Sequence, residues 1–176
     1  MREEESYAWY FMLIRTTINN ITAYGHSKQS DLDKRYIRMA SIWSENSYCQ
    51  RRKVGALIVK DKMIISDGYN GTPSGFENVC EDDNNVTKPY VLHAEANAII
   101  SASREAMIDS TLYLVGLEMP SGEYVKNASS CSMCKRMIIN AGIRDVIIRD
   151  DKDNYRIINV MDWIDNDESV MGEFGY

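Results

Sequence analysis

The sequence has no excess of positive charge, no long apolar run and few cysteines. Lys and Arg number 20 against 26 Asp and Glu, a formal net charge of -6. That balance argues against broad electrostatic binding to nucleic acid, although a few local cations can still serve a small anionic substrate. The apolar stretch Tyr7–Ile14 is ended by Arg15, far short of a membrane span. A secretory signal is also missing, because Met1-Arg2-Glu3-Glu4-Glu5 is acidic where a signal peptide is basic. The 4 cysteines, Cys49, Cys80, Cys131 and Cys134, make a poor disulfide framework: 176 residues need no staples, and two of the four share a C-x-x-C. Cys49 and Cys80 read as small buried apolar residues, and free thiols fit a reducing, cytoplasmic location. Neither repeats nor low-complexity tracts occur, and hydrophobic residues at 44% supply the core of one domain over 1–176.

Apolar spacing predicts a helix over 5–24, within an amino-terminal helical extension of 1–28. A second is expected over 31–46, with Asp31 as cap and Leu32, Tyr36, Met39, Ile42 and Trp43 on one inward face. Val54–Val59, the turn Asp61-Lys62 and Met63–Tyr69 read as a hairpin. Asn70–Gly75 is a loop, followed by polar, irregular sequence over 76–90. A helix is expected over His93–Ala106, a strand over Thr111–Val115, a loop or extended hairpin over 116–130, and a helix over Cys131–Ala141 stopped by Gly142. Val146–Arg149 and Tyr155–Val160 complete the strands, before an acidic, aromatic tail. A hairpin followed by strands alternating with helices implies an α/β fold, with a mixed sheet of about five strands covered by helices.

What stands out is His93-Ala94-Glu95 together with Cys131-Ser132-Met133-Cys134. One imidazole and two thiols are enough to hold zinc while leaving a fourth position open. Zinc lowers the pKa of a water in that position to about 7. Glu95, two residues beyond His93, could enter the same pocket without ligating the metal and move protons there. Both motifs fall at expected helix starts, where the dipoles favour thiolate. The rival readings are a closed structural zinc site, with Cys49, Cys80, His26 or a carboxylate as fourth ligand, or no metal; the spacing favours none of these fourth ligands.

Lesser features admit two readings each. Asn70 could meet a sugar hydroxyl or a base edge, or simply occupy a tight turn. Arg51, Arg52 and Lys53 could meet a phosphate or form a solvated strand entrance, and Lys135 and Arg136 are an alternative phosphate site. Trp9, Tyr10 and Phe11 belong to a core or a subunit interface. Phe174 and Tyr176 could stack on a bound ring or fray with the terminus. His26 is expected to be exposed, without a role.

The segments Arg52–Ala56, Ile64–Phe76, Val91–Ile99 and Cys131–Ile143 together resemble the deoxycytidylate (dCMP) deaminases of the cytidine deaminase superfamily. H-x-E followed by C-x-x-C is the signature of zinc nucleobase deaminases, and the G-Y-N-G-x-P-x-G loop points to the dCMP branch. The resemblance covers about 31 to 150 and implies a three-layer α/β/α fold. It also implies zinc on His93, Cys131 and Cys134, with Glu95 as proton shuttle. Asn70 would lie near the deoxyribose, the Ala94 N–H on the pyrimidine carbonyl, and the Ser129 or Ser130 carbonyl near the exocyclic amine. Arg52 and Lys53 are carried as candidate phosphate contacts. Relatives form homo-oligomers, hexamers or dimers, and many respond to dCTP and dTTP. Such an effector would rest partly on Tyr69, Gly71, Thr72 and Ser74, with Mg2+ on its triphosphate.

The chain departs from that pattern in three places. Ser130 stands where the family has proline, residues 116–129 are longer and more polar than the family connection, and 151–176 does not match the common family ending. The expected function is zinc-dependent hydrolysis of dCMP to dUMP and ammonia, supplying thymidylate synthesis. The alternatives are deamination of another cytosine nucleoside, nucleotide or base, and a non-catalytic, zinc-stabilised nucleotide-binding regulator.

Overall fold

The computed structural model describes residues 28–172. The helix expected over 5–24, His26, and the aromatic end Phe174 and Tyr176 lie outside the described residues. The chain divides into two compact units, Met1–Arg35 and Tyr36–Tyr176, and the architecture below is that of the second.

Residues 28–44 are helical (α1). Strands β1 (Arg52–Lys60) and β2 (Met63–Tyr69) follow, then helices α2 (Ala94–Ile100) and α3 (Arg104–Met107) and strand β3 (Thr111–Glu118). Helix α4 (Ser132–Ala141), strands β4 (Asp145–Arg149) and β5 (Tyr155–Asn159), and helices α5 (Val160–Asn166) and α6 (Glu168–Met171) complete the order. The five strands run β2-β1-β3-β4-β5, with β3 and β4 parallel and the other neighbours antiparallel. Asp61 and Lys62 turn the hairpin with positive φ at both positions, the conformation a tight two-residue turn demands.

Central strands β1, β3 and β4 carry continuous buried runs, as strands covered on both faces must. On one face Ala56, Ile58, Leu112, Leu114, Val146 and Ile148 pack with Ala94 and Ala98 of α2 and Ile138 and Ala141 of α4. The opposite face receives α1, where the Tyr36 ring stands 5.1 Å from that of Tyr113 and its hydroxyl donates to the Lys62 carbonyl at 2.8 Å. The result is the expected three-layer α/β/α arrangement.

Two glycines let helices lie directly on the sheet. A Cβ on Gly55 would stand 2.1 Å from the Ala40 carbonyl oxygen of α1, and one on Gly68 would stand 2.4 Å from Ala94 O and Ala98 N of α2. Gly55 also explains why the inward face of α1 is not the one expected. Tyr36, Ile37, Ala40 and Ser44 are buried, whereas Met39, Ile42 and Trp43 are exposed, because close backbone approach selects small residues at the contact.

The helix expected over 93–106 is two helices. It stops after Ile100, and the Ser103 side chain caps α3 by accepting from the Ala106 N–H; serine competes well for backbone donors at such starts. A second correction concerns the thiols. Cys49 and Cys80, expected to be free, form a disulfide with Cα atoms 5.0 Å apart, while Cys131 and Cys134 are free. Their segments meet because Glu81, next to Cys80, accepts from the Gln50 and Arg51 N–H groups at 3.0 and 3.1 Å, a long-range pairing that local patterning does not reveal.

Gly68→Ala must displace α2 or bend β2, and is expected to cost roughly 1–3 kcal/mol; an unchanged thermal midpoint would contradict this packing. The bridge closes a sequence separation of 31, worth about 3–4 kcal/mol in the chain-entropy account. Thiol titration of denatured, unreduced protein should find two free cysteines, rising to four on reduction. Four before reduction would refute the bridge.

Candidate active site

Two helix starts converge on one point. His93 is the N-cap residue of α2 and Cys131 that of α4, both with extended backbone and neither side chain used as a cap. Both side chains are thereby free to turn toward each other. α2 is set against β2 by three contacts besides Gly68. Ser66 Oγ donates to Ala98 O at 2.5 Å, Asn97 Nδ2 donates to Tyr69 O at 2.7 Å, and Gly71 pairs with Leu92 just ahead of His93. α4 is set by its crossover between parallel strands β3 and β4 and by burial of Ile138 and Ala141.

His93 Nδ1 lies 3.4 Å from each sulfur, Cys131 Sγ and Cys134 Sγ, and the three donor atoms fall within 4.8 Å of one another. Tetrahedral zinc at about 2.3 Å from sulfur and about 2.0 Å from nitrogen requires an N···S edge of about 3.5 Å. The spacing and the thiolate-forming donor set therefore fit zinc. The hydrogen bond to Cys131 raises the His93 pKa, more than burial lowers it. Donation by Cys134 and His93 holds the Cys131 thiol far down, at about 3, whereas Cys134, as donor to its partner and buried, is pushed up.

Glu95 sits one residue into α2 and is 5% exposed. Burial raises its pKa, so the carboxyl holds a proton more readily than one in water. The Ser130 hydroxyl lies on the carboxyl's side and partly offsets that rise. The pair does not reach hydrogen-bond geometry, however, and the buried Ser130 Oγ has no bonded partner. Ala94 is fully buried as the first residue of α2, so its N–H has no intrahelical acceptor.

These groups open on a cavity of about 550 Å3 whose lining includes His93, Ala94, Glu95 and Cys131, with Asn70, Ser129 and Arg52 among the other expected residues. Asn70 is tied to β1 by both ends of its amide, Oδ1 accepting from Val54 N at 2.7 Å and Nδ2 donating to Arg52 O at 2.9 Å. It extends the β1–β2 ladder beyond its last backbone pair while remaining in the cavity wall. Tyr69, Gly71, Thr72 and Ser74 are not among the lining residues: Thr72 donates to Asn78, and Ser74 is exposed.

Of the expected cations, Arg52 is paired with Glu118 at 2.7 Å, and Lys53 is turned to the Glu45 carbonyl, off the cavity lining. Lys135 pairs with Asp167 at 2.7 Å and bonds Ser169, and Arg136 donates to Val170 O, so both serve the carboxy-terminal helices. Sequence reasoning missed Glu81, Thr87, Val125, Lys126 and Asn127, which also line the cavity. Their signal was the polar length of 76–90 and 116–130, which says that a loop exists but not where it folds.

Residues 30–149 match the family model of the cytidine and deoxycytidylate deaminase zinc-binding region. The deoxycytidylate deaminase of Mycobacterium phage D29 is 30% identical over 131 residues, covering 66% of this chain and 93% of that protein. The Saccharomyces cerevisiae deoxycytidylate deaminase is 28% identical over 140 residues, 72% of this chain but only 41% of that protein. Among solved structures, the dCMP deaminase of cyanophage S-TIM5 in complex with dCMP and dUMP shares 34% identity at a TM-score of 0.60, covering 80% of this chain and 92% of that one. A family match over the whole stretch that carries the converging His and Cys side chains makes this chain a member of the cytidine and deoxycytidylate deaminases, a family of zinc-binding hydrolytic enzymes.

Proposed function

We propose that the protein hydrolyses dCMP to dUMP and ammonia, with zinc held by His93, Cys131 and Cys134 and Glu95 moving the protons. The observation that carries this reading is Glu95 itself: a buried carboxyl in the wall of the cavity that the metal-donor group also lines, outside that donor group, with its pKa raised by desolvation. Bound zinc supplies the Lewis acidity that makes water a competent nucleophile near neutral pH. The S-TIM5 relative in complex with dCMP and dUMP supports the choice of substrate.

Glu95, as carboxylate, takes a proton from water and delivers it to N3 of cytosine as the C4–O bond forms. It then moves the remaining hydroxyl proton to the amine, and the C4–N bond breaks to release ammonia. A carboxyl that holds a proton readily suits both transfers. The Ala94 N–H, unused within its helix, is available to the pyrimidine carbonyl. The Ser129 and Ser130 carbonyls precede Cys131 on the amine side. Asn70 keeps one amide hydrogen and one lone pair for the sugar beyond its bonds to β1.

Purified protein should turn over dCMP, followed as loss of the cytosine absorbance; activity on cytidine alone would shift the reading to a nucleoside deaminase. Glu95→Gln should lower turnover by roughly 100- to 10,000-fold while retaining zinc by elemental analysis. If parent and variant are equally inactive yet both bind nucleotide, the regulator reading replaces this one. Cys131→Ala and His93→Ala should instead lose the zinc.

A further inference from the structure

Two cations on the cavity lining, Arg51 and Lys126, have no side-chain partner among the described residues. The charged groups around them already have partners of their own. Arg52 faces Glu118, and both carboxylate oxygens of Glu81 accept backbone N–H groups, one of them from Arg51 itself. Lys53 is turned to Glu45 O. Glu95 lines the same cavity, buried at the His93 end of its wall. The described wall therefore offers two positive side chains that no ion pair engages, in a protein of net charge -6.

Lys126 comes from the long connection that departs from the family pattern, and that connection is built into the fold. Val125 N donates to Gly116 O at 2.9 Å, Glu118 N to Glu123 O at 2.8 Å, and Leu117 pairs with Tyr124. The Arg149 guanidinium lies 4.4 Å over the Tyr124 ring, and Arg156 donates to Ala128 O at 2.6 Å. Arg51 is fixed from the other side, its N–H held by Glu81 and its carbonyl by Met119 N at 3.0 Å.

We propose that Arg51 and Lys126 together hold the 5′-phosphate of the substrate, so that the 119–130 loop, and not the Arg52–Lys53 side, makes the enzyme prefer a nucleotide to a nucleoside. The inference rests on the deaminase reading above. A phosphate monoester is a compact anion near −2 at neutral pH; a guanidinium meets two of its oxygens and an ammonium a third.

The test compares the parent with Arg51→Ala and Lys126→Ala on dCMP and on deoxycytidine, with Lys53→Ala as control. Each of the first two should lower kcat/KM for dCMP roughly ten- to a hundredfold, mainly through KM, and leave deoxycytidine turnover within about twofold. Lys53→Ala should change neither. Equal losses on both substrates, or a dCMP loss confined to Lys53→Ala, would overturn the assignment. Calorimetry with dUMP and deoxyuridine separates this inference from the reaction itself. If the parent fails to deaminate but binds dUMP more tightly than deoxyuridine, and Arg51→Ala and Lys126→Ala erase that difference, the phosphate site stands and the deaminase reading falls. If the parent binds the two alike, the phosphate site falls.

Discussion

The site depends on how closely α2 lies on β2. Gly68 lacks the Cβ that would meet the backbone of α2, Ser66 bonds Ala98 O, and Asn97 bonds Tyr69 O. Backbone sits on backbone, so the register of the helix over the strand has little freedom. That register fixes two side chains at once: His93 as the cap residue and Glu95 two residues later. The second half of the site has an independent cause. α4 links the parallel strands β3 and β4 and must cross one face of the sheet, the same face that carries α2. Two neighbouring helices of one layer then begin side by side, and the three donor atoms meet without any residue in a strained conformation.

The electrostatics follow from the same placement. A carboxyl buried at the start of a helix is desolvated and thus favours its protonated form, while the thiol of Cys131 is drawn to thiolate by two donors. The carboxyl of Glu95 and the thiol of Cys131 are shifted in opposite directions, although both line one cavity. Around the cavity Glu118 is paired with Arg52, and Glu81 is turned to backbone amides and not to a cationic side chain. An acidic protein can thus keep cations in a cavity wall without pairing each to an acid.

The metal donors and Glu95 were legible because their information is local: residue types at fixed spacing, at helix starts announced by apolar periodicity and, for α4, by the stop at Gly142. Sheet composition was legible for the same reason. What stayed hidden needed a partner distant in sequence. Which face of α1 turns inward depends on Gly55 in a strand, and the Cys49–Cys80 bridge depends on Glu81 docking against the entrance to β1. Arg52, Arg51 and Lys126 look alike in sequence; only the position of Glu118 across the β1–β3 pair tells which cation is already engaged.

The segment beyond the matched region packs against residues within it. Lys135, directly after a metal-donor cysteine, is buried under α6 by its ion pair with Asp167, its bond to Ser169 and the Trp163 ring 5.5 Å away, while Arg136 holds Val170 O. Lys135 in turn keeps the Asp167 carboxyl below its usual range, as an ion pair formed in the fold must. Arg156 of β5 reaches Ala128 in the long connection, and Arg149 of β4 covers its Tyr124. The carboxy-terminal strand and helices therefore brace α4 and the 119–130 loop from behind. A rigid proline before the first cysteine is one way to fix the entry to that helix. Here Ser130 occupies that place, with anchors on either side of it, Ala128 to one side and Lys135 and Arg136 to the other. The carboxy-terminal packing thus restrains the chain on both sides of Ser130, at Ala128 before it and at Lys135 and Arg136 after it.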